Sequence, residues 1–153
     1  MHQETAPTGK PLEFAVRFNA AARLWQSGQK EDAVVAYLQL LEEYPDTPSL
    51  LGMIGTIYTD MKQWAEAVPY FKRATELRPH KIRPSQFLYH CLWKLGRQRD
   101  ALLEIKRFLL LQPSPDEHEL TVQELADGQP WIADKSLPIM ELLELLLSRA
   151  KET

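Results

Sequence analysis

An interval of 34 residues recurs along most of this chain of 153 residues. Four series of residues keep it: Pro45, Pro79 and Pro113; Ala33, Ala67 and Ala101; Tyr37, Phe71 and Ile105; and Leu24, Tyr58 and Leu92. Four series that share one period are hard to obtain by chance, so the chain is predicted to consist of repeated units. One such unit cannot bury its apolar surface alone, and neighbouring units are therefore expected to stack and share a core.

Each unit is predicted to form two helices joined by a turn. In the second unit, Leu51, Ile54, Gly55 and Tyr58 follow the i, i+3, i+4, i+7 spacing of one helical face. The turns are the stretches "SGQKEDA", "DMKQWAEA" and "LGRQRDA". A proline closes each unit because it cannot continue a helix, and a second one, such as Pro48, suits the first turn of the next helix.

This pattern resembles the tetratricopeptide repeat, a helical hairpin of the same length. The shared features are a small residue in the first helix, alanine and then an aromatic residue in the second, and a closing proline. The middle unit has them at Gly55, Tyr58, Ala67, Phe71, Ala74 and Pro79. The resemblance implies an all-α protein, an α-α superhelix of three helix-turn-helix hairpins plus C-terminal capping helices, whose first helices line a concave groove.

The resemblance also divides the chain. Three repeats and a cap fit the sequence: about residues 14–47, 48–81 and 82–115 for the repeats, and 116–153 for the cap. Residues 1–12 are polar and are expected to be flexible, so 13–153 is predicted to form a single domain. Large residues replace the usual small ones at Leu40 in the first repeat, and at Tyr89 and Phe108 in the third. Either the two helices of the third repeat, or its contact with the segment that follows, is therefore expected to pack more widely.

The segment after the third repeat is predicted to open with a short helix. Ser114 is its N-cap, Pro115 its first residue and Glu117 the partner of the cap, and Gly128 can end it. Trp131, in the loop that follows, is expected to contact the last repeat.

The terminal segment 137–151 is more apolar than one docking surface requires. Three arrangements are open for it. It can cap the third repeat, mediate self-association of the chain, or lie in the groove of its own or another chain.

Composition argues against several classes of function. The formal net charge is −3, which gives no overall attraction to phosphate, so no nucleic-acid partner is expected. Cys91 is the single cysteine; it excludes an intrachain disulfide and is expected to be a small core residue. The apolar runs are short and "MHQETAPTGK" has no apolar core, so we expect a cytoplasmic protein with no membrane partner.

Residues that could carry catalysis or bind a metal are sparse. The histidines are His2, His80, His90 and His118, with no pair at i, i+4 and no cysteine spacing for zinc. No glycine-rich phosphate loop is present. We therefore predict no enzyme activity, no metal and no cofactor. "PDEHE" is interpreted as a solvated first helical turn, with a metal site as the alternative. "RPHKIRP" with Arg97 and Arg99 is interpreted as solvated loop charge, with a docking site for an acidic partner as the alternative.

The groove implied by the resemblance is where a partner is expected. The candidate partner-binding residues lie about one position away from the core face of each first helix: Phe18, Trp25, Gln26, Met53, Thr56, Asp60, Arg83, Gln86, His90, Trp93 and Lys94. Trp25 and Trp93 occupy equivalent places two repeats apart, and tryptophan outside the core is typical of interaction anchors. Coverage of both by the flanking segments is the alternative.

A known subclass of this family clamps the C-terminal carboxylate of heat-shock chaperones with lysine, arginine and asparagine. The matching positions here are Phe18 and Ala22, then Met53, then Arg83 and Phe87. Only Arg83 could serve, so that function is not predicted.

The sequence predicts a non-enzymatic module that captures one protein or peptide partner in its groove. Small proteins of this kind resemble chaperones of secretion systems, or immunity and antitoxin proteins that cover a toxin. A scaffold or adaptor subunit of a larger assembly is the alternative.

Overall fold

The structure, a computed structural model of the chain, describes residues 11–128 and 138–150, and all the regular structure in these ranges is helical. The helices are α1 (Pro11–Gln26), α2 (Lys30–Glu43), α3 (Pro48–Asp60), α4 (Trp64–Leu77), α5 (Ile82–Lys94), α6 (Gln98–Leu110), α7 (Pro115–Gly128) and α8 (Ile139–Arg149). The all-α class is confirmed, and three hairpins, α1/α2, α3/α4 and α5/α6, fall on the three predicted repeats. No helix within these ranges is long and apolar enough to cross a membrane.

Two expectations fall largely outside the described residues. Trp131 is not among them, and of the segment 1–12 only Pro11 and Leu12 are. Both already belong to α1, where a proline suits the first helical position.

The turn inside each hairpin has the same backbone geometry. Its central residue has a positive φ: +87° at Gly28, +59° at Lys62 and +76° at Gly96. In each turn the N–H of the next residue donates to the carbonyl five residues before it, at 2.8 to 2.9 Å. This is the Schellman motif, which ends a helix by one left-handed residue that is usually glycine. Lys62 is therefore the one of these three that carries a Cβ in an unfavourable conformation.

Lys62→Gly is expected to raise the free energy of unfolding by about 0.5–1 kcal/mol, because glycine adopts positive φ without steric cost. The gain is limited by the larger conformational freedom of glycine in the unfolded chain. The control is Lys72→Gly on the exposed side of α4, which should lose about 1 kcal/mol. Chemical denaturation followed by circular dichroism measures both. If Lys62→Gly lost as much stability as the control, the positive φ of Lys62 would not be a source of strain.

The described residues form two compact units, which meet in sequence between Arg78 and Pro79. Each unit has its own buried core, and the single domain expected from the sequence stays a prediction.

The first unit contains α1 to α4. One core cluster is shared by the first three helices: Ala21, Ala33, Val34, Tyr37, Leu40, Tyr44, Leu50, Ile54 and Ile57. In the second hairpin, α3 and α4 approach closely because Gly55 has no side chain. A Cβ at Gly55 would lie 2.7 Å from Cζ of the buried Phe71, so the ring occupies the space that any larger residue would need.

The second unit contains α5 to α8. Its hairpin core is formed by residues of α5 and α6: Leu88, Tyr89, Cys91, Leu92, Ala101, Leu102, Ile105 and Phe108. Cys91 is fully buried, as predicted, and burial raises the pKa of its thiol to about 11. The capping box of α7 is confirmed, because the N–H of Glu117 donates to Oγ of Ser114 at 3.3 Å and Glu117 receives the N–H of Ser114.

The terminal helix α8 packs against α6. It buries Leu142, Leu143, Leu146 and Leu147 on one side. Two cations of α6 hold it as well: Lys106 pairs with Glu144, and Nη1 of Arg99 donates to the carbonyl of Leu147 at 3.1 Å. Of the three arrangements considered, α8 is therefore a cap on the last hairpin, while self-association stays a prediction.

Candidate functional site

The candidate site in the first unit lies where α1 and α3 end side by side. We call it the α1/α3 surface and define it by Trp25, Gly52, Met53, Thr56 and Asp60. Nε1 of Trp25 donates to Oδ2 of Asp60 at 3.2 Å, which joins residues 35 positions apart in the sequence. The sequence predicted both residues as partner-binding, and the structure brings them into direct contact.

Asp60 has a second partner in Lys30 at the start of α2. The Nζ atom lies 3.1 Å from the same Oδ2 that accepts the tryptophan N–H. The hydrogen bond from Trp25 and then the contact with Lys30 lower the pKa of this carboxyl below its usual value. Asp60 is consequently an anion that fixes the orientation of the half-exposed Trp25 ring.

The side chains in the middle of the α1/α3 surface are small and mostly apolar. The hydroxyl of Thr56 donates to the carbonyl of Gly52, and that of Thr59 to the carbonyl of Thr56, both at 2.7 Å. Since these hydroxyls bond back to their own helix, they are satisfied without a ligand. A Cβ at Gly52 would meet nothing within 4 Å, so there is open space above this part of α3.

The remaining predicted residues of the first unit differ in their environment. Phe18 and Met53 are partly buried and pack against the core cluster. The Phe18 ring makes an edge contact with Tyr37 at 5.2 Å and stacks on Phe14 at 5.8 Å. Gln26 is exposed at the last residue of α1. Phe18 therefore supports the core at least as much as it presents a binding surface.

The predicted residues of the second unit all lie on α5. Arg83, His90 and Lys94 are exposed, while Gln86 and Trp93 are half-buried. The Trp93 ring stacks on the Tyr89 ring at 5.7 Å between centroids.

Tyr89 occupies a position where the repeat usually has a small residue. Its ring is buried and its hydroxyl has no hydrogen-bond partner among the described residues. Burial raises the pKa of this phenol above its usual value, and the nearby Glu124 adds to the effect. The large side chain of Tyr89 thus fills space in the core of the hairpin, and its ring packs against that of Trp93.

Lys30 is the functional candidate that the sequence analysis did not identify. It begins α2 and is neither at a repeated position nor on a first helix. Only the packing of the first hairpin on α3 brings it to Asp60, so no local signal in the sequence marked it.

The arrangement of these side chains is suited to binding a partner. Within residues 11–128 and 138–150, no three of the histidine, cysteine, aspartate and glutamate side chains are grouped to hold a metal ion. The α1/α3 surface offers an oriented indole, small side chains with methyl groups and one paired carboxylate, which together fit an apolar segment of a protein.

Comparison with known proteins agrees with the fold of helical hairpins. Tetratricopeptide-repeat family models match residues 48–81 and 18–47. Among solved structures, the first repeat domain of Spaghetti (RPAP3), bound to the HSP90 peptide SRMEEVD, is 19% identical with a TM-score of 0.63. That match covers 79% of this chain and 94% of the other.

Two further structures are similar. The type III secretion translocator chaperone SycD of Yersinia enterocolitica is 18% identical, with a TM-score of 0.62 and coverage of 76% of this chain and 88% of the other. The repeat domain of Sgt2 from Aspergillus fumigatus is 13% identical, with a TM-score of 0.64 and coverage of 90% and 91%. At these identities the likeness establishes the fold.

Proposed function

Because this chain is a tetratricopeptide-repeat protein, we propose that it is a non-enzymatic binding module that captures a protein partner on the first helices of its hairpins. The observation that carries the proposal is Trp25, a half-exposed indole whose N–H donates to Asp60 at the end of α3, the helix that also has open space at Gly52. An indole whose orientation is already fixed loses little freedom when it is covered by a partner. Such a residue is suited to be a hot spot of binding.

The role that fits this surface best is that of a chaperone for an extended apolar segment. Gly52 and the two back-bonded threonines present small side chains to a partner and leave room for larger ones. Similar folds occur in a secretion chaperone and in a domain bound to a short peptide. A toxin-covering role would instead require a broad contact with a folded domain.

Trp25→Ala is expected to weaken capture of a partner by about 30-fold or more without unfolding the protein, because a hot-spot tryptophan contributes about 2 kcal/mol or more. Trp93→Ala is expected to act in the same direction. A phage-displayed library of random peptides, selected on the immobilised full chain, supplies the ligands. Fluorescence anisotropy of the recovered peptides then gives Kd for each variant, and circular dichroism confirms folding.

Trp64→Ala is the matched control, because Trp64 is half-buried at the start of α4, on a second helix. It should bind the selected peptides like the unchanged protein. Trp25→Phe separates the contribution of the ring from that of the N–H, since it keeps an aromatic ring but removes the N–H that donates to Asp60. Unchanged Kd in both Trp25→Ala and Trp93→Ala would show that the surface is wrongly assigned. Selection of folded domains in place of peptides would favour the toxin-covering role.

A further inference from the structure

The outer face of the terminal helix α8 carries a leucine between two opposite charges. Glu141, Leu145 and Arg149 follow the spacing i, i+4 and i+8, which places them along one stripe of the helix. All three side chains are exposed, and they lie on the side of α8 away from its buried leucines. The helix therefore has a second face with an apolar residue, which its contact with the third hairpin does not cover.

The other polar side chains of this outer face already have partners. Glu144 pairs with Lys106 of α6, and the hydroxyl of Ser148 donates to a carbonyl of its own helix at 2.6 Å. Glu141 and Arg149 make no such contact with any side chain that the structure describes. The helix dipole favours an acid in the first turn and a base in the last, as these two are placed. It does not explain the exposed leucine midway between them.

The stripe is complementary to a reversed copy of itself. Glu141 and Arg149 lie four residues, or about 6 Å along the helix axis, on either side of Leu145. When two α8 helices pack antiparallel about a twofold axis at Leu145, each Glu141 faces the arginine of the other copy and the two leucines meet at the centre. A parallel arrangement would bring like charges together. The stripe thus favours the antiparallel one, in which the two helix dipoles also attract each other.

Exposed leucines of α6 adjoin α8 and add apolar surface. Leu103 and Leu110 share one stripe of α6 with Arg99 and Lys106, the two cations that hold α8. Interfaces that are stable in solution bury about 1,200–2,000 Å² in total, which is more than two short helices provide by themselves. Coverage of the α6 leucines supplies the additional area that a dimer needs.

We propose that two copies of this chain associate through the outer faces of their α8 helices in antiparallel orientation. Leu145 lies at the centre, a pair between Glu141 and Arg149 lies at each end, and Leu103 and Leu110 lie at the margin. The inference goes beyond the proposed function and is independent of it, because α8 belongs to the second unit and the α1/α3 surface to the first. A dimer carries two such surfaces, which raises the apparent affinity for a ligand that offers two binding segments.

Sedimentation equilibrium of the full chain tests the association. The mass is expected to rise toward that of two chains as the protein concentration increases from about 1 μM to about 1 mM. Leu145→Glu should weaken the association by about tenfold or more, because it places two like charges at the centre of the interface. Circular dichroism confirms that the variant is folded. If the unchanged protein stays monomeric over the whole range, the proposal fails and the face is left for a different protein.

Charge reversal tests the antiparallel orientation. Glu141→Arg alone brings two arginines together at each end, and Arg149→Glu alone brings two glutamates together, so each variant should associate about tenfold more weakly. An equimolar mixture of the two variants restores both opposite-charge pairs and should associate like the unchanged protein. The controls are Glu66→Arg in the first turn of α4 and Arg23→Glu in the last turn of α1, which make the same changes at exposed helix ends. Neither should change the association.

The outcomes separate this inference from the proposed function. An association that Leu145→Glu leaves unchanged would lie on another surface and overturn the proposal. A mixture that stays monomeric like its two components would overturn the antiparallel pairing. Equal weakening in the controls would also overturn it, because the charge of the chain alone would then be the cause. None of these results affects peptide capture by Trp25, which the library selection tests separately.

Discussion

Gly55→Leu is expected to lower the free energy of unfolding by about 3 kcal/mol or more. Even the first atom of a side chain at this position would lie 2.7, 2.8 and 2.9 Å from three ring carbons of Phe71. That ring is 1% exposed and belongs to the close contact between α3 and α4, so it has no room to move away. Chemical denaturation followed by circular dichroism measures the loss. If the substitution is too severe for a folded protein to be purified, Gly55→Ala gives the same test at smaller cost.

Gly52→Ala is the matched control, because it lies one turn earlier on the same helix. A Cβ there meets nothing within 4 Å, so alanine should raise the stability by about 0.5–1 kcal/mol through its higher helix propensity. Opposite signs for two glycines three residues apart would establish that the contact at Phe71, and not the helix propensity of glycine, decides position 55. A neutral result for both Gly55→Leu and Gly55→Ala would refute the close approach of α3 and α4.

The fold was predictable because it is encoded locally and repeated. Gly55 and Phe71 belong to one hairpin, and both were expected from the spacing of the repeat alone. The capping box between Ser114 and Glu117 is equally local and could be read from four consecutive residues.

Two details of the hairpins did not follow from the sequence rules. Proline closes each repeat, yet α4 continues through Pro69. Pro69 lies on the exposed face of α4, so the backbone carbonyl that loses its helical hydrogen bond there can bond to water. Lys62 adopts the left-handed conformation that glycine adopts in the other two turns. In both cases the packing of the hairpin overrides the preference of a single residue.

The site was predictable only in part. The helical face predicted Trp25 and Asp60 separately, but their hydrogen bond depends on how the first hairpin packs against α3. Lys30 was missed for the same reason.

Glu104 is the clearest case of a residue whose role the repeat pattern conceals. The equivalent positions in the first two repeats are Ala36 and Tyr70, neither of which is charged. Glu104 is only 8% exposed and accepts hydrogen bonds from two sources: the Ser85 hydroxyl at 2.6 Å and the Arg107 guanidinium at 2.8 and 2.6 Å.

The same guanidinium also reaches the loop before the hairpin. Its third contact is from Nη1 of Arg107 to the carbonyl of Pro79, at 3.0 Å. A single buried carboxylate thus connects both helices of the hairpin and, through Arg107, the loop that precedes them.

Glu104→Ala is expected to lower the free energy of unfolding by about 3 kcal/mol. Removing one partner of a buried ion pair leaves the other uncompensated, which costs about 3–5 kcal/mol. The lower end of this range applies because the Arg107 side chain is 34% exposed and can recover part of its hydration. Ser85, which is 4% exposed, has no such access to water and loses its acceptor. Glu104→Gln should lose less stability than Glu104→Ala but still be less stable than the unchanged protein, since its amide oxygen still accepts from one donor.

Asp100→Ala on the same helix is the control, because the Asp100–Arg97 pair is exposed and should contribute less than about 1 kcal/mol. Denaturation curves of the three variants, followed by circular dichroism, provide the comparison. Equal losses for Glu104→Ala and Asp100→Ala would mean that the buried network is no stronger than a surface pair. We expect a large loss of stability for Glu104→Ala but not for Asp100→Ala. If that loss becomes smaller when Arg107 is also replaced by methionine, the cost arises from the guanidinium left without its carboxylate.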